Sequence, residues 1–465
     1  MDRRLVLSTF GLLAGIIVIG LFASWNIGSP TMAAIAEVTN CKDCNVVFIS
    51  LTNVRADHLG LYGYDRPTSS NIDRLGSQSL VFEQARTVAS WTLPVAMSIY
   101  TSTYPVQHKV MNRYRVENDT LVSLPADAHT VLDTLHDAGY TTAAFTARGD
   151  YDERYNLTTR FQHHQYFPSD GASAAYGSTR DTANASIAWL ENNKDQKFFI
   201  HVHGYDAHCP FSRPEENNVF DPDYEGLDFN TCYWTFDKVD PISVGDKKYY
   251  VVKLSGGNTA IPPKLSERDI YHMKALYDGE IMLADGYVGS LLDKIEELGL
   301  MDNTIIVFFT EHGDLFGEHG RFMRGGSLRG SFYDDVMHVP LVIKHPHLQP
   351  KRIKHLVSVL DLAPTLLSWL DLPIPKEFEG MNLFEPRKSV FAATQFVPPP
   401  TNSFYNRTST IMAVWQDGWK LIREEQGDTT YEVYNIEKDP EETVHNPERL
   451  TLLNQTLHDW WRGLR

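Results

Sequence analysis

Cysteine is scarce in this chain, with four among 465 residues, too few to hold so long a fold together. Ordinary burial of apolar side chains must do that, and a content of 42% apolar and 12% aromatic residues is enough for it. The same composition excludes a disordered, collagen-like or disulfide-dense chain. Positive charge is also short: 42 Lys and Arg stand against 59 Asp and Glu, for a net charge of −17. A general electrostatic grip on nucleic acid needs clustered basic residues to displace counterions, so nucleic acid is not an expected partner. A local basic pocket remains compatible with the balance. Internal repeats and low-complexity tracts are lacking too.

Long apolar runs are nearly absent, with one exception. Leu5 to Trp25 is uncharged and follows Arg3 and Arg4. At ~1.5 Å per helical residue it matches the ~30 Å hydrocarbon layer, and it outlasts the apolar stretch of ~7–15 residues in a cleaved signal peptide. Residues 1–25 are therefore expected to be a transmembrane anchor and 26–44 a tether. Arg3 and Arg4 place the body on the extracytoplasmic side by the positive-inside rule. In an oxidising compartment Cys41/Cys44 and Cys209/Cys232 suit disulfides, while Cys-x-x-Cys also suits a redox or metal pair.

At roughly 100–200 residues per domain, the length fits two or three domains, or one large domain with an appendage. Short β-branched or aromatic runs (Val46–Ser50, Thr141–Phe145, Phe198–Val202, Thr304–Phe309, Val339–Ile343) alternate with helical patterns such as His129–Ala138 and Ile281–Leu300. Strands separated by helices predict an α/β fold with a mostly parallel sheet covered on both faces. Residues 212–265, rich in Asp, Asn, Pro and Tyr, read as an insertion. From about Pro386 the pattern changes to strand-like Met412–Trp415, Trp419–Ile422 and Tyr431–Tyr434 and a helix around Leu450–Trp461. The expected division is a body over 45–385 and a small α+β subdomain over 386–465.

Sites in open parallel sheets gather at the carboxyl ends of strands, and polar clusters fall there. Val46–Ser50 runs into Thr52-Asn53 and Arg55, Phe198–Val202 into His203 and His208, and Thr304–Phe309 into Glu311-His312. Thr92 precedes an apolar run suited to a helix, whose N-terminus favours an anion.

With these residues in view, NVVFISLTNVRADHLGLYGY, TLPVAMSIYTSTYPVQH, the stretch ending TEHGDLFGEHG, and SFYDDVMHVPLVI resemble the successive landmarks of the sulfatase family within the alkaline phosphatase superfamily. The resemblance runs in order over about residues 44–461. It implies an alkaline phosphatase-like sheet with helices on both faces and a C-terminal subdomain built on an antiparallel sheet. It also implies one divalent cation (Ca, Mg, Mn or Zn), with Glu311, His312, Asn53 and Thr92 as the ligands here. Thr92 falls on the nucleophile position, where sulfatases carry the Cys or Ser that becomes formylglycine, which threonine cannot form. Ala96 replaces the signature Arg. His208 matches a catalytic or substrate-contacting histidine, and Arg329, His203 and Arg148 are the expected anion-binding companions. Thr52 replaces a ligating Asp, an exchange that weakens a hard cation's site.

The expected activity is that of a membrane-anchored hydrolase of sulfate or phosphate esters on a small molecule, glycan or lipid, with Thr92 as a metal-assisted nucleophile. Transfer of a phosphorylated head group to a lipid or surface polymer is one alternative. A degenerate anion-binding protein without catalysis is another.

Overall fold

The protein is described from a computed structural model over residues 40–111, 121–147, 149–168, 178–211, 217–229, 232–234, 242–244, 247–254, 264–324, 331–396 and 409–464. The anchor expected over 1–25, most of the tether, Arg148 and Arg329 lie outside the described residues. Among those described, no helix is long and apolar enough to cross a membrane.

Eight strands form the main sheet: β1 (Asn45–Leu51), β2 (Leu80–Phe82), β3 (Thr141–Thr146), β4 (His163–Tyr166), β5 (Phe198–Gly204), β6 (Thr304–Phe309), β7 (Leu341–Lys344) and β8 (Lys351–Ile353). Their order is β8-β2-β7-β6-β1-β5-β3-β4. Only β7 runs against its neighbours; every other pairing in the sheet is parallel. The central strand β1 is buried along its whole length, as a strand covered on both faces must be. Alternate side chains divide between two hydrophobic clusters, Val46 and Phe48 to one, Val47, Ile49 and Leu51 to the other.

Helices complete those clusters. On the first face lie α1 (Thr92–Thr101), α2 (Val131–Asp137) and α3 (Leu362–Trp369); on the second, α4 (Ser70–Gly76), α5 (Thr179–Asn193) and α6 (Glu267–Glu297). The helix expected from Ile281 begins earlier, at Glu267, because Ser266 and Asp269 form a reciprocal capping box there. The strand expected from Val339 begins only at Leu341, after Pro340, which has no N–H for the ladder.

A second, four-stranded antiparallel sheet closes the chain: β9 (Ser389–Phe396), β10 (Ser409–Gln416), β11 (Trp419–Gln426) and β12 (Asp428–Asn435), followed by helix α7 (Leu450–Gly463). Asp417 and Gly418, both with positive φ, make the tight turn between β10 and β11. One face of this sheet packs on α7 through Leu453 and Leu457, the other on Phe332, Tyr333, Val336 and Met337 of the body. Both cysteine pairs, Cys41–Cys44 and Cys209–Cys232, are disulfides.

Candidate active site

Three strand ends and one helix start supply the polar side chains. β1 delivers Thr52 and Asn53, β5 delivers His203 and then the turn to His208, and β6 delivers Glu311 and His312; Thr92 is the first residue of α1. These seven side chains are at most 6% exposed. Asn53 adopts a left-handed backbone (φ 70°), a conformation its short polar side chain tolerates better than most.

The Thr92 hydroxyl lies 3.1 Å from His312 Nε2. The other ring nitrogen, Nδ1, is 2.9 Å from the Gly313 carbonyl, which can only accept. Nδ1 therefore carries the ring proton, Nε2 offers its lone pair, and the Thr92 hydroxyl donates to it. Burial, reinforced by the charge of Arg324, holds the His312 pKa well below the usual histidine range. Thr92 and His312 thus form a hydroxyl–base pair linking residues 220 positions apart in sequence.

Glu311 points into a separate network. Its Oε2 accepts from Thr52 Oγ1 at 3.2 Å and its Oε1 from the Tyr151 hydroxyl at 2.9 Å. His203 Nδ1 accepts from the Ala147 amide, so Nε2–H donates to Thr52 Oγ1 at 2.7 Å and lies 3.6 Å from Glu311 Oε1. Burial raises the Glu311 carboxyl above its ordinary pKa, against its own backbone amide and the hydroxyls of Tyr151, Thr52 and Ser50, which favour its ionised form. His203, expected among the substrate-binding residues, is instead fully buried and orients Glu311 through Thr52.

A third group centres on Arg324, which the sequence reading did not single out. Its Nη2 donates to His208 Nε2 at 2.9 Å, while His208 Nδ1–H is given to the Cys209 carbonyl at 2.5 Å. His208 therefore spends its proton on the backbone and its lone pair on Arg324, and in this arrangement it positions the guanidinium, where a catalytic or substrate-contacting histidine was expected. Arg324 Nη1 stands 3.9 Å from Asp314 Oδ2, and Asn53 Nδ2 donates to the same oxygen at 2.9 Å. Burial moves the Asp314 pKa up to about 6, with Arg324 opposing. Among the described residues, Arg324 Nε and Nη1, Asn53 Oδ1 and Ser90 Oγ are buried with no hydrogen-bond partner. The sequence signal for Arg324 was its place shortly after the EHG turn of 318–320, five residues before Arg329, the arginine chosen.

The donor set does not fit a tightly held divalent cation as the resemblance implies it. Glu311 already takes two hydroxyls on its two oxygens, Thr52 is a donor to it, and a guanidinium occupies the same surroundings. Asn53 Oδ1 is a neutral oxygen. Among the described residues, the one group of three His, Cys, Asp or Glu side chains close enough to share an ion is His208, Cys209 and Cys232, whose sulfurs are joined to each other. Glu311, His312, Asn53 and Thr92 come to one region of the fold, but hard cations require anionic oxygens, and the arrangement supplies few.

The fold thus gathers at the carboxyl edge of a parallel sheet a polar cluster with a hydroxyl at a helix start paired to a histidine, and a guanidinium whose charge reaches that histidine. The family model described as "Sulfatase" matches residues 44–372, and that of "N-sulphoglucosamine sulphohydrolase, C-terminal" matches 317–460. The chain belongs to the sulfatase family. It is 27% identical over 286 residues to arylsulfatase K of Xenopus laevis, covering 57% of this chain and 51% of that protein. It is 24% identical over 447 residues to an arylsulfatase of Clostridium perfringens (strain 13 / Type A), covering 86% and 89%. The chain spans about half the length of the arylsulfatase K relatives it matches. A solved 2-O GAG sulfatase shares the fold with a TM-score of 0.69 and 18% identity, over 90% of this chain and 92% of that one. Sulfatases as a family bind a divalent metal ion.

Proposed function

We propose that this protein hydrolyses sulfate esters, of a sulfated glycan or of a small molecule, with Thr92 as the attacking group. The observation that carries the reading is the Thr92–His312 pair beside a buried guanidinium with hydrogen-bonding capacity left over. A tetrahedral oxyanion has the charge for Arg324 and an acceptor for one of its open donors, and the first turn of α1 adds backbone N–H groups with no side-chain cap.

In the first step Thr92 Oγ bonds to sulfur as the bond from sulfur to the ester oxygen breaks, and the hydroxyl proton passes to His312 Nε2. Arg324 bears the charge on the sulfuryl oxygens, and the ester oxygen departs as an anion that solvent protonates. After His312 returns its proton to solvent, a water attacks the same sulfur, His312 takes the water's proton and hands it to Thr92 Oγ as the sulfur–Oγ bond breaks, and the Thr92 hydroxyl is restored as sulfate leaves. Arylsulfatase activity in the relatives, stated in their names, supports sulfate ahead of phosphate.

The test is hydrolysis of 4-nitrophenyl sulfate, with 4-nitrophenyl phosphate alongside, by the full chain and by Thr92→Ala. Turnover is expected to fall at least about 10³-fold in the variant while its melting temperature is kept. Equal rates in both proteins would remove Thr92 from the reaction. We also propose that Leu5–Trp25 anchors the chain, with residues 40 onward outside the cytoplasm; the uncharged run behind Arg3 and Arg4 supports this. Release of the protein from membranes by an alkaline wash would contradict it.

A further inference from the structure

The remaining question is what supplies positive charge at a site whose donors are unsuited to a divalent ion. We propose that the Arg324 guanidinium takes the place of the cation in this chain, so that oxyanion binding and Thr92 activation both proceed without a divalent metal. The inference rests on the ester-hydrolase reading for its second half and on geometry alone for its first.

Four observations converge. First, the strand-end positions where the family's carboxylates belong hold Thr52 and Asn53, so the cluster has lost anionic oxygens that a divalent ion requires. Second, the surviving carboxylates are engaged. Glu311 takes Thr52 and Tyr151, and Asp314 takes Asn53 Nδ2 while facing Arg324.

Third, a fixed positive charge is present. Arg324 is buried, and His208 holds its Nη2 in one direction because the Cys209 carbonyl fixes the tautomer of His208. A divalent ion beside it would meet Coulombic repulsion, worsened by the low dielectric of the interior. Fourth, two of the guanidinium nitrogens, Nε and Nη1, have no hydrogen-bond partner among the described residues. Buried donors of a charged group are seldom left unmade. Nε–H and the Nη1 hydrogens lie on different edges of the guanidinium, so each is by itself a place for an anion oxygen.

The proton needs no metal either. A cation would activate Thr92 by stabilising its alkoxide; here His312 Nε2, held as an acceptor by the Gly313 carbonyl, is already the hydroxyl's hydrogen-bond partner. Asp314 then has a second use. By holding Asn53 Nδ2 it turns the amide so that Oδ1 is the end without a partner, a neutral acceptor suited to a bound water.

The experiment is calorimetric titration of the purified full chain with inorganic sulfate and with inorganic phosphate, before and after exhaustive treatment with EDTA, together with elemental analysis. The expected result is well under one equivalent of Mg, Ca, Mn or Zn, and an anion affinity that EDTA leaves unchanged. Arg324→Met is expected to weaken anion binding by about tenfold or more, the scale of a lost charged hydrogen bond. Arg324→Lys, which keeps the charge and loses the planar donors, should fall between the native chain and Arg324→Met, provided both variants keep the wild-type melting temperature. The triple variant Thr52→Asp/Asn53→Asp/Arg324→Met should acquire one equivalent of divalent cation that the native chain lacks. One equivalent of metal surviving dialysis, with anion binding abolished by EDTA, overturns the proposal and leaves the hydrolase reading standing. Undiminished anion binding in a folded Arg324→Met, or no anion binding by the native chain, overturns it as well. Anion binding as expected, but no turnover of any aryl ester, refutes the hydrolase reading and leaves Arg324 as the anion's partner.

Discussion

The chemistry of single residues here is decided by which atom of a ring has already been claimed. His312 and His208 are alike in giving Nδ1–H to a neighbouring carbonyl, yet one Nε2 meets a hydroxyl and the other a guanidinium. The first can take a proton from Thr92; the second has none to give. With no protonated side chain among the described residues assigned to the ester oxygen, the proposed reaction suits leaving groups that are stable as anions, phenols above alcohols, and the arylsulfatase names of the relatives agree with that. Thr92, Glu311, His312 and His208 were legible in the sequence because each follows a strand or opens a helix, and topology gathers such positions at one edge. Tyr151 and Arg324 were not. Tyr151 ends a single 3-10 turn and Arg324 lies in a loop, where no periodicity fixes direction, and three arginines within 321–330 give a sequence no means to choose among them. The roles of His203 and His208 also escaped, since a tautomer depends on carbonyls and amides whose placement no motif encodes.

At the scale of elements, the 310–314 turn is the part that must not move. It leaves β6 with Glu311, His312 and Asp314 facing three different partners, and Gly313 permits this by lying against the body. A Cβ added at Gly313 would meet the carbonyl oxygen of Asp335 and crowd the Arg55 side chain, while the Gly313 amide donates to the Val336 carbonyl at 2.8 Å. Neither backbone can yield without breaking that bond. Gly313→Ala is therefore expected to cost about 1–3 kcal/mol of stability, as overpacking does, and to lower turnover much further by displacing His312 from Thr92. Urea denaturation beside the aryl sulfate assay checks both; an unchanged rate in a destabilised variant would separate the turn from the chemistry. Strand identities were legible for the reason that makes this turn rigid: β-branched and aromatic runs buried on both sides can only be central strands. Boundaries were less so. Helix α6 begins fourteen residues before its apolar stripe becomes regular, since a capping box, not hydrophobicity, sets its start, and β9 was missed because nothing in Ser389–Phe396 alternates cleanly.

The molecule as a whole carries imidazoles and carboxyls in places water does not reach, and its stability must follow pH accordingly. His201 lies in the second layer behind the site, with Ser50 Oγ 2.8 Å from Nε2 and the Tyr100 hydroxyl 2.9 Å from Nδ1. Burial lowers its pKa to about 3, with a small contribution from His164. An unfolded chain protonates the same ring near 6.5. Between those values the unfolded state holds the extra proton, so the stability contributed by the neutral ring is fully present above about pH 6.5 and is lost as pH falls toward about 3. The slope is about 1.4 kcal/mol per pH unit for one such group. Other buried groups push in both directions: His108, lowered to about 3, acts in the same sense, whereas Asp314, raised to about 6, acts in the opposite one. A comparison that isolates His201 is therefore more informative than the total. His201→Gln keeps a donor and an acceptor for Ser50 and Tyr100 but cannot titrate. At pH 7.5 the variant should be the less stable protein. By pH 5 the gap should shrink by about 2 kcal/mol, because only the native chain is penalised by acid at this position. Urea midpoints at the two pH values read the difference directly, and a gap that stays constant would mean that position 201 is not held neutral by the fold.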